Sequence, residues 1–254
     1  AMGRFAAGGS AGFALGPFIA GGVYVFGGHF LWVFTAIALL GVLLYMYAFT
    51  GETDTIRTCE SESRAKSANM GTNDWVSFGK LFFVIASRSI LFSVLSIFIP
   101  ILYITVINGG ASTSSLALTL YFAMGAVLTY MGGALSDRLG FLKTVRLGNL
   151  IFLPSVLVFI FVPNMWGFFG AMIPMAFGVF SQYGPITVLG QKYLAKNAGF
   201  ASVITLGLGI TLGGLVAPYI GHLADIYDVQ TALMTLIPVG AIGLLLSFWL
   251  KEPK

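Results

Sequence analysis

The feature that most constrains this chain is a succession of long apolar segments. Eight of them reach the length that an α-helix needs to cross the hydrocarbon core of a bilayer, about 20 residues. None alternates strictly between apolar and polar residues, as the strands of a barrel do. We number them span 1 to span 8, at residues 4–27, 30–50, 78–107, 115–136, 144–162, 166–190, 198–221 and 230–250. The sequence therefore predicts an all-α integral membrane protein with eight transmembrane helices.

Charged residues are too few for a protein whose surface is in contact with water. They make up 9% of the chain against 57% hydrophobic residues, whereas soluble domains carry about 25% charged residues. The net charge of +4 comes from basic residues scattered over short loops, not from a continuous patch. This composition excludes soluble enzymes, predicts no nucleic-acid partner and leaves membrane lipid as the surroundings of the protein.

The positive charges predict how the spans are oriented. If residue 4 faces the cytoplasm, twelve of the thirteen basic residues fall on the cytoplasmic side, as the positive-inside rule requires. These are Arg4, Arg57, Arg64, Lys66, Lys80, Arg138, Lys143, Arg146, Lys192, Lys196, Lys251 and Lys254. We therefore expect a multi-pass protein of the plasma (inner) membrane, with both bundle ends and the C-terminus in the cytoplasm.

Two spans carry a matching ladder of small residues, which suggests an internal repeat. Spacings of four place small residues on one helix face and let another backbone approach closely. The ladders consist of Gly8, Gly12 and Gly16 in span 1 and of Gly209, Gly213 and Gly221 in span 7, beside Pro17 and Pro218 respectively. The two ladders lie six spans apart, as in a transporter built from two halves. The alternative is that such ladders are common in helical membrane proteins.

A polar linker divides the chain unevenly. Nine charged residues lie between Glu52 and Lys80. We predict that residues 1–50 are the last two helices of an N-terminal bundle, residues 51–76 a cytoplasmic linker, and residues 77–254 a C-terminal six-helix bundle. On this interpretation four helices, roughly 120 residues, precede the chain in a longer protein and complete its first bundle. The alternative is a naturally short eight-span protein that acts in membrane assembly or regulation and does not transport.

The loop between spans 4 and 5 carries the strongest motif. It contains Gly133, Asp137, Arg138, Gly140 and Lys143. Gly133 would let two helices touch, Asp137 would accept hydrogen bonds from the next helix N-terminus and a nearby arginine, and Gly140 would permit a tight turn. Breaking the contacts among these residues would let the two helices separate, as the gate of a transporter requires. The loop resembles the signature of the major facilitator superfamily, although Phe141 stands where that signature has a basic residue.

Span 1 carries a second resemblance. The run from Gly12 through Gly16, Pro17 and Gly21 is similar to the fifth-helix signature of antiporters in the same superfamily. This resemblance implies that spans 1 to 8 are helices 5–12 of a twelve-helix fold.

Four further stretches, at residues 11–17, 86–100, 181–194 and 199–214, resemble the fosmidomycin-resistance branch of drug efflux proteins. That resemblance implies antibiotic resistance through proton-coupled export of a small drug, with a phosphonate among the substrates.

Arg88 is the sharpest candidate for substrate binding. It lies within span 3, roughly 15 Å from the cytoplasmic end at 1.5 Å per residue, and a charge at that depth needs a cavity or a partner. We expect it to bind an anionic substrate group; the alternative is a pair with a carboxylate in the preceding helices. Gln182 and Tyr183, beside Pro185 in span 6, are further candidate contacts, with an interhelical hydrogen bond as the alternative.

The chain itself offers no site for other chemistry. The spans hold no nucleophile–base pair, metal cluster or phosphate loop, so we expect no enzyme activity, no cofactor and no metal. They also hold no carboxylate in their interiors, so a proton-coupling acid would lie in the preceding helices.

The leading interpretation is a secondary active exporter that works by alternating access with the proton as coupling ion. The alternative within the superfamily is an importer or exchanger of organic anions.

Overall fold

The structure is a computed structural model that describes residues 73–252, apart from Val106 and Pro163, and isolated earlier positions (Gly16, Leu39, residues 41–43 and Met46). Spans 1 and 2 and nearly all of the linker lie outside the described residues. The predicted division of the chain at residues 50 and 76 therefore stays a prediction.

The described residues form helices joined by short connections. They are α1 Trp75–Thr105, α2 Ala111–Leu139, α3 Phe141–Phe161, α4 Met165–Phe180, α5 Tyr183–Tyr193, α6 Ala198–Val203, α7 Gly209–Ile226, α8 Val229–Met234 and α9 Leu236–Phe248. A 3-10 turn at Ala195–Asn197 precedes α6, and a π-helical turn at Ile204–Leu208 joins α6 to α7. Such π turns occur mostly as single turns inside longer helices.

Grouped by continuity, these helices account for the predicted spans 3 to 8. Within the described part of the chain, six helical segments are long and apolar enough to cross a membrane. Span 3 is α1, span 4 is α2 and span 5 is α3, whereas α4 and α5 together form span 6. Span 7 comprises α6 and α7, and span 8 comprises α8 and α9. The predicted all-α membrane fold and the order of these spans are confirmed.

Span 3 lies at the centre of the bundle. It packs against span 7, span 8 and span 4, while span 5 packs against the first half of span 6. A larger hydrophobic cluster includes Leu95, Phe152 and Met175, and a smaller one near the start of α1 includes Ile85 and Leu189. Many large apolar side chains remain exposed on the outside, as lipid-facing positions of a membrane bundle are.

Hydrogen bonds join four spans at one end of the bundle. The backbone N–H of Asp74, at the start of span 3, donates to the carbonyl of Tyr193 at the end of span 6 over 2.8 Å. The Tyr193 hydroxyl donates to the carbonyl of Lys251, which follows span 8. Arg146, near the start of span 5, donates from Nε to the carbonyl of Ser247 over 3.1 Å. We call this end, where Asp74, Arg146, Tyr193 and Lys251 meet, the basic end.

Span 7 approaches span 3 closely at one position of its predicted glycine ladder. A Cβ on Gly213 would lie 2.1 Å from Ser93 Oγ and 2.5 Å from the carbonyl oxygen of Ser89. Gly221 has open space around it, and Gly209 begins α7. Gly16 is helical and exposed, and a Cβ on it would meet no described atom within 4 Å. The remaining ladder and motif residues, Gly8, Gly12, Pro17 and Gly21, lie outside the described residues.

Candidate functional site

Arg88 lies deeper in the bundle than its position within the apolar segment predicts. Helix α1 begins at Trp75, thirteen residues before Arg88, which places the arginine about 20 Å from the helix start. Its side chain is only 7% exposed. A hydrocarbon core is about 30 Å thick, so the guanidinium lies near the middle of a span.

The side chain packed against Arg88 is Tyr183, at the start of α5. The guanidinium carbon of Arg88 is 5.2 Å from the centre of the Tyr183 ring, a cation–π distance. Nε of Arg88 is buried and has no hydrogen-bond partner, and no acidic side chain in the described part of the chain pairs with it. The structure thus brings together two of the three predicted substrate-binding residues.

A group of aromatic side chains lies one helical turn further along. We call Phe92, Tyr121, Phe122 and Phe180 the aromatic cluster; the Tyr121 and Phe180 ring centres are 5.2 Å apart, and those of Phe92 and Phe180 are 5.7 Å apart. Tyr121 is fully buried, and its hydroxyl has no hydrogen-bond partner among the described residues. Its ring packs on Phe180, which in turn packs on Phe92, four residues after Arg88 on α1. We call Arg88, Tyr121 and Tyr183 the Arg88 site.

The helix break in span 6 lies beside this site. Pro185 has no N–H, so the carbonyl of Ser181 one turn earlier has no helical donor, and α4 and α5 are separated at Ser181 and Gln182. Gly132 of α2 packs against that carbonyl, since a Cβ on it would lie 2.3 Å from the Ser181 oxygen. The Ser181 hydroxyl is also buried without a partner. Broken helices with freed backbone groups are typical of membrane binding sites.

Gln182 joins two spans by its hydrogen bonds. Its Oε1 accepts a hydrogen bond from Asn149 Nδ2 over 3.3 Å, and its Nε2 donates to the carbonyl of Gly178. Gly148 makes room for it, because a Cβ there would lie 2.8 Å from Gln182 Cγ. Gln182 therefore forms an interhelical hydrogen bond between spans 5 and 6, and a substrate contact of this residue stays a prediction.

The loop between α2 and α3 differs in detail from its predicted roles. Gly140 has φ 93°, a conformation that favours glycine, and the start of α3 has no side-chain cap, so Asp137 does not cap it. The side chains of Asp137, Arg138 and Lys143 are exposed, and Gly133 is half-buried.

Two neighbours of this motif make contacts that the sequence analysis did not assign. Gly132, next to Gly133, makes a close contact between spans 4 and 6. Arg146, three residues beyond Lys143, binds the carbonyls at the end of span 8.

Sequence reasoning also missed Tyr121 and Asn149. Both are polar groups inside apolar spans, and that mismatch is a usable signal because polar side chains within a bilayer usually have a partner or a function. Phenylalanine and tyrosine are so frequent in this chain that Tyr121 does not stand out from the sequence alone. Within the described residues, no group of three His, Cys, Asp or Glu side chains lies close enough to hold a metal ion.

Comparison with known proteins places the chain among membrane transporters. The family model described as Major Facilitator Superfamily matches residues 1–205 and residues 81–254. Over 156 residues the chain is 24% identical to the multi-drug resistance efflux pump PmrA of Streptococcus pneumoniae, covering 55% of this chain and 37% of that protein. Over 127 residues it is 25% identical to the uncharacterized MFS-type transporter YfnC of Bacillus subtilis, covering 50% and 31%. The chain thus spans well under half the length of these curated relatives.

Solved structures show the same fold. The chain aligns with the transporter FucP in its outward conformation with a TM-score of 0.61 at 19% identity, over 87% of this chain and 53% of that one. A variant of the E. coli fucose:proton symporter FucP aligns with a TM-score of 0.55 at 20% identity, over 76% and 46%. At these identities the comparison shows the fold alone.

Proposed function

Because this chain belongs to the Major Facilitator Superfamily, whose members are membrane transporters and not enzymes, we propose that it is part of a proton-coupled exporter of small organic anions. The observation that carries the proposal is Arg88, a buried cation without a carboxylate partner in the described bundle. An anionic substrate group supplies the missing counter-charge in the middle of the membrane, where an unpaired charge is costly.

Outward transport is supported by the description of one relative and by a sequence motif. One relative of this chain is described as a multi-drug resistance efflux pump, and the predicted antiporter signature in span 1 favours exchange of substrate against protons. The closer assignment to fosmidomycin-resistance exporters of an inner membrane, and the four helices that would complete the first bundle, belong to the same proposal. So does the coupling carboxylate that those helices would supply.

The test uses the complete protein reconstituted in proteoliposomes. We expect that a radiolabelled organic anion moves against its gradient when a proton gradient is imposed, and that Arg88→Gln lowers this transport by about tenfold or more. Lys192→Gln, which removes a positive charge at the basic end, is the matched control and should leave transport unchanged. Proton-driven transport of anions that Arg88→Gln does not alter would remove Arg88 from the mechanism.

The same experiment separates the alternatives. An importer or exchanger of organic anions would move the anion in the opposite direction relative to the proton gradient, or exchange it for a second anion without protons. A non-transporting assembly or regulatory protein would show no movement in any configuration while binding a partner protein.

The loop between spans 4 and 5 is proposed as a gate of this exporter. Gly133, Asp137, Arg138, Gly140 and Lys143 lie where two helices turn at one end of the bundle, and Gly140 adopts the turn conformation that the motif implies. If the loop gates transport, Asp137→Asn should lower the maximal transport rate and leave the affinity for the anion unchanged.

A further inference from the structure

We propose that the Arg88 site is built for a monovalent organic carboxylate and discriminates against dianions such as phosphonates. This inference rests on the proposed function, because it names the substrate class of the same site. It contradicts the fosmidomycin-resistance part of the proposed function, which implies a phosphonate substrate, and the binding experiment below decides between the two.

Two buried donors define what the site can bind. Nε of Arg88 and the hydroxyl of Tyr121 both lack a hydrogen-bond partner in the described part of the chain, and their residues are 7% and 0% exposed. Buried polar groups in native structures are nearly always paired, so each unpaired one calls for an explanation. A carboxylate accepts up to about four hydrogen bonds and donates none, so it can receive both donors. An amine would bring a donor to a site that has donors already.

The geometry of Arg88 suits a planar acceptor. Its guanidinium lies over the ring of Tyr183, which leaves the edge that carries Nε without a partner. An arginine edge presents parallel N–H groups that match the two oxygens of a carboxylate. Tyr183 is half-buried, so the site borders the surface of the described bundle on this side.

Within the described spans, the charge count favours a monoanion over a dianion. Arg88 is the basic side chain in the apolar interior of the described spans, since Lys80, Arg146 and Lys192 lie toward the basic end. The rings of Phe92, Phe122 and Phe180, which pack on one another and on Tyr121, are apolar and offer no further charge. A monovalent carboxylate gives a neutral complex, whereas a dianion leaves one uncompensated charge near the middle of the membrane.

Equilibrium binding of two matched probes to the complete purified protein tests this inference. Benzoate is a monovalent carboxylate, and phenylphosphonate is a dianion at about pH 8.5 and a monoanion at about pH 5.5, because the second proton of such groups leaves near neutral pH. We expect benzoate to bind at least about tenfold more tightly than phenylphosphonate at the higher pH. The difference should shrink at the lower pH, where benzoate itself serves as the control for changes in the protein.

Substitutions of Arg88 and Tyr121 test whether each side chain donates a hydrogen bond to the bound carboxylate. Arg88→Gln should weaken benzoate binding by about tenfold or more, and Arg88→Lys should not restore it, because lysine lacks the planar edge. Tyr121→Phe removes one neutral hydrogen bond without changing shape and should weaken binding by about fivefold. Tyr219→Phe, at a position that is 67% exposed on span 7, is the matched control and should change nothing.

The outcomes distinguish this inference from the proposed function. If phenylphosphonate binds at least as tightly as benzoate at the higher pH and Arg88→Gln abolishes both, the monovalent preference is overturned and the anion contact stands. If Tyr121→Phe has no effect while Arg88→Gln does, the two-donor site is overturned. If neither probe depends on Arg88 while proton-driven export of another compound persists, both the inference and the role of Arg88 fail.

Discussion

The basic end and the Arg88 site use buried polar groups in opposite ways. At the basic end Arg146 donates to the carbonyls of Ser247 and Leu250, both over 3.1 Å, and Tyr193 joins two further segments by hydrogen bonds at its carbonyl and its hydroxyl. In the Arg88 site, by contrast, Arg88 Nε and the Tyr121 hydroxyl have no hydrogen-bond partners within residues 73–252 as described. The difference indicates that one region holds the helices together and the other keeps binding capacity for a ligand.

The packing beside the Arg88 site offers the sharpest way to break this comparison. Gly132→Leu would drive a side chain into the backbone carbonyl of Ser181, whose oxygen lies 2.3 Å from the Cβ position. Overpacking against backbone should destabilise the protein by about 3 kcal/mol or more. Unfolding of the complete protein in mixed detergent micelles measures the change. Gly214→Leu, at an exposed position with open space, is the control; equal losses in both variants would contradict the close approach of spans 4 and 6.

Arg146→Ala tests the basic end. The substitution removes charged hydrogen bonds to carbonyls at the end of span 8, and bonds of this kind contribute about 1.5–3 kcal/mol. We expect the free energy of unfolding to fall by about 2 kcal/mol, with benzoate affinity unchanged. Lys143→Ala, at an exposed position in the same segment, should leave stability unchanged.

Arg88→Met should stabilise the protein, in contrast to the two substitutions above. It replaces a buried, unpaired charge by an apolar side chain of similar length, and such exchanges stabilise proteins by about 1–2 kcal/mol or more. The melting temperature of the ligand-free protein should rise while anion binding is lost. A fall in melting temperature would show that Arg88 already has a stabilising partner among the residues outside the described part of the chain.

Asp74→Ala is expected to have the smallest effect on the free energy of unfolding. Its carboxylate accepts from the Ser77 hydroxyl over 2.6 Å and from the Ser77 N–H over 3.0 Å, which caps α1. Loss of such a cap in Asp74→Ala should cost about 1 kcal/mol of unfolding free energy.

The same contacts make this contribution depend on pH. The side-chain hydrogen bond from Ser77, followed by the backbone one, lowers the pKa of Asp74 below its ordinary value of 3.8. Stability from a lowered carboxyl pKa is present above 3.8 and is lost as the pH falls through the lowered pKa. The stability difference between wild type and Asp74→Ala should therefore shrink in acid; a difference that grows in acid would contradict the assignment.

Much of the fold could be predicted because apolar length is a local property. Spans 3 to 8 recur as helical segments within a few residues of their predicted bounds, and the basic residues Arg146, Lys192 and Lys251 lie near the same end. The candidate site was only partly predictable. A lone basic residue within an apolar segment identifies Arg88 from sequence. Tyr121, by contrast, joins the neighbouring aromatic cluster only because span 4 packs on span 6 through Gly125 and Gly132.

Sequence by itself determined the membrane class, the span order, the superfamily and the position of Arg88 within a span, because bilayer thickness and the cost of a charge act on each segment separately. Tertiary structure alone decided the neighbours of that cation. It placed Tyr183 over the guanidinium, joined Gln182 to Asn149 by a hydrogen bond, and packed Gly132 of span 4 against the Ser181 carbonyl of span 6. These contacts depend on helix rotation and on packing between distant segments, which cannot be predicted from a local pattern of residues.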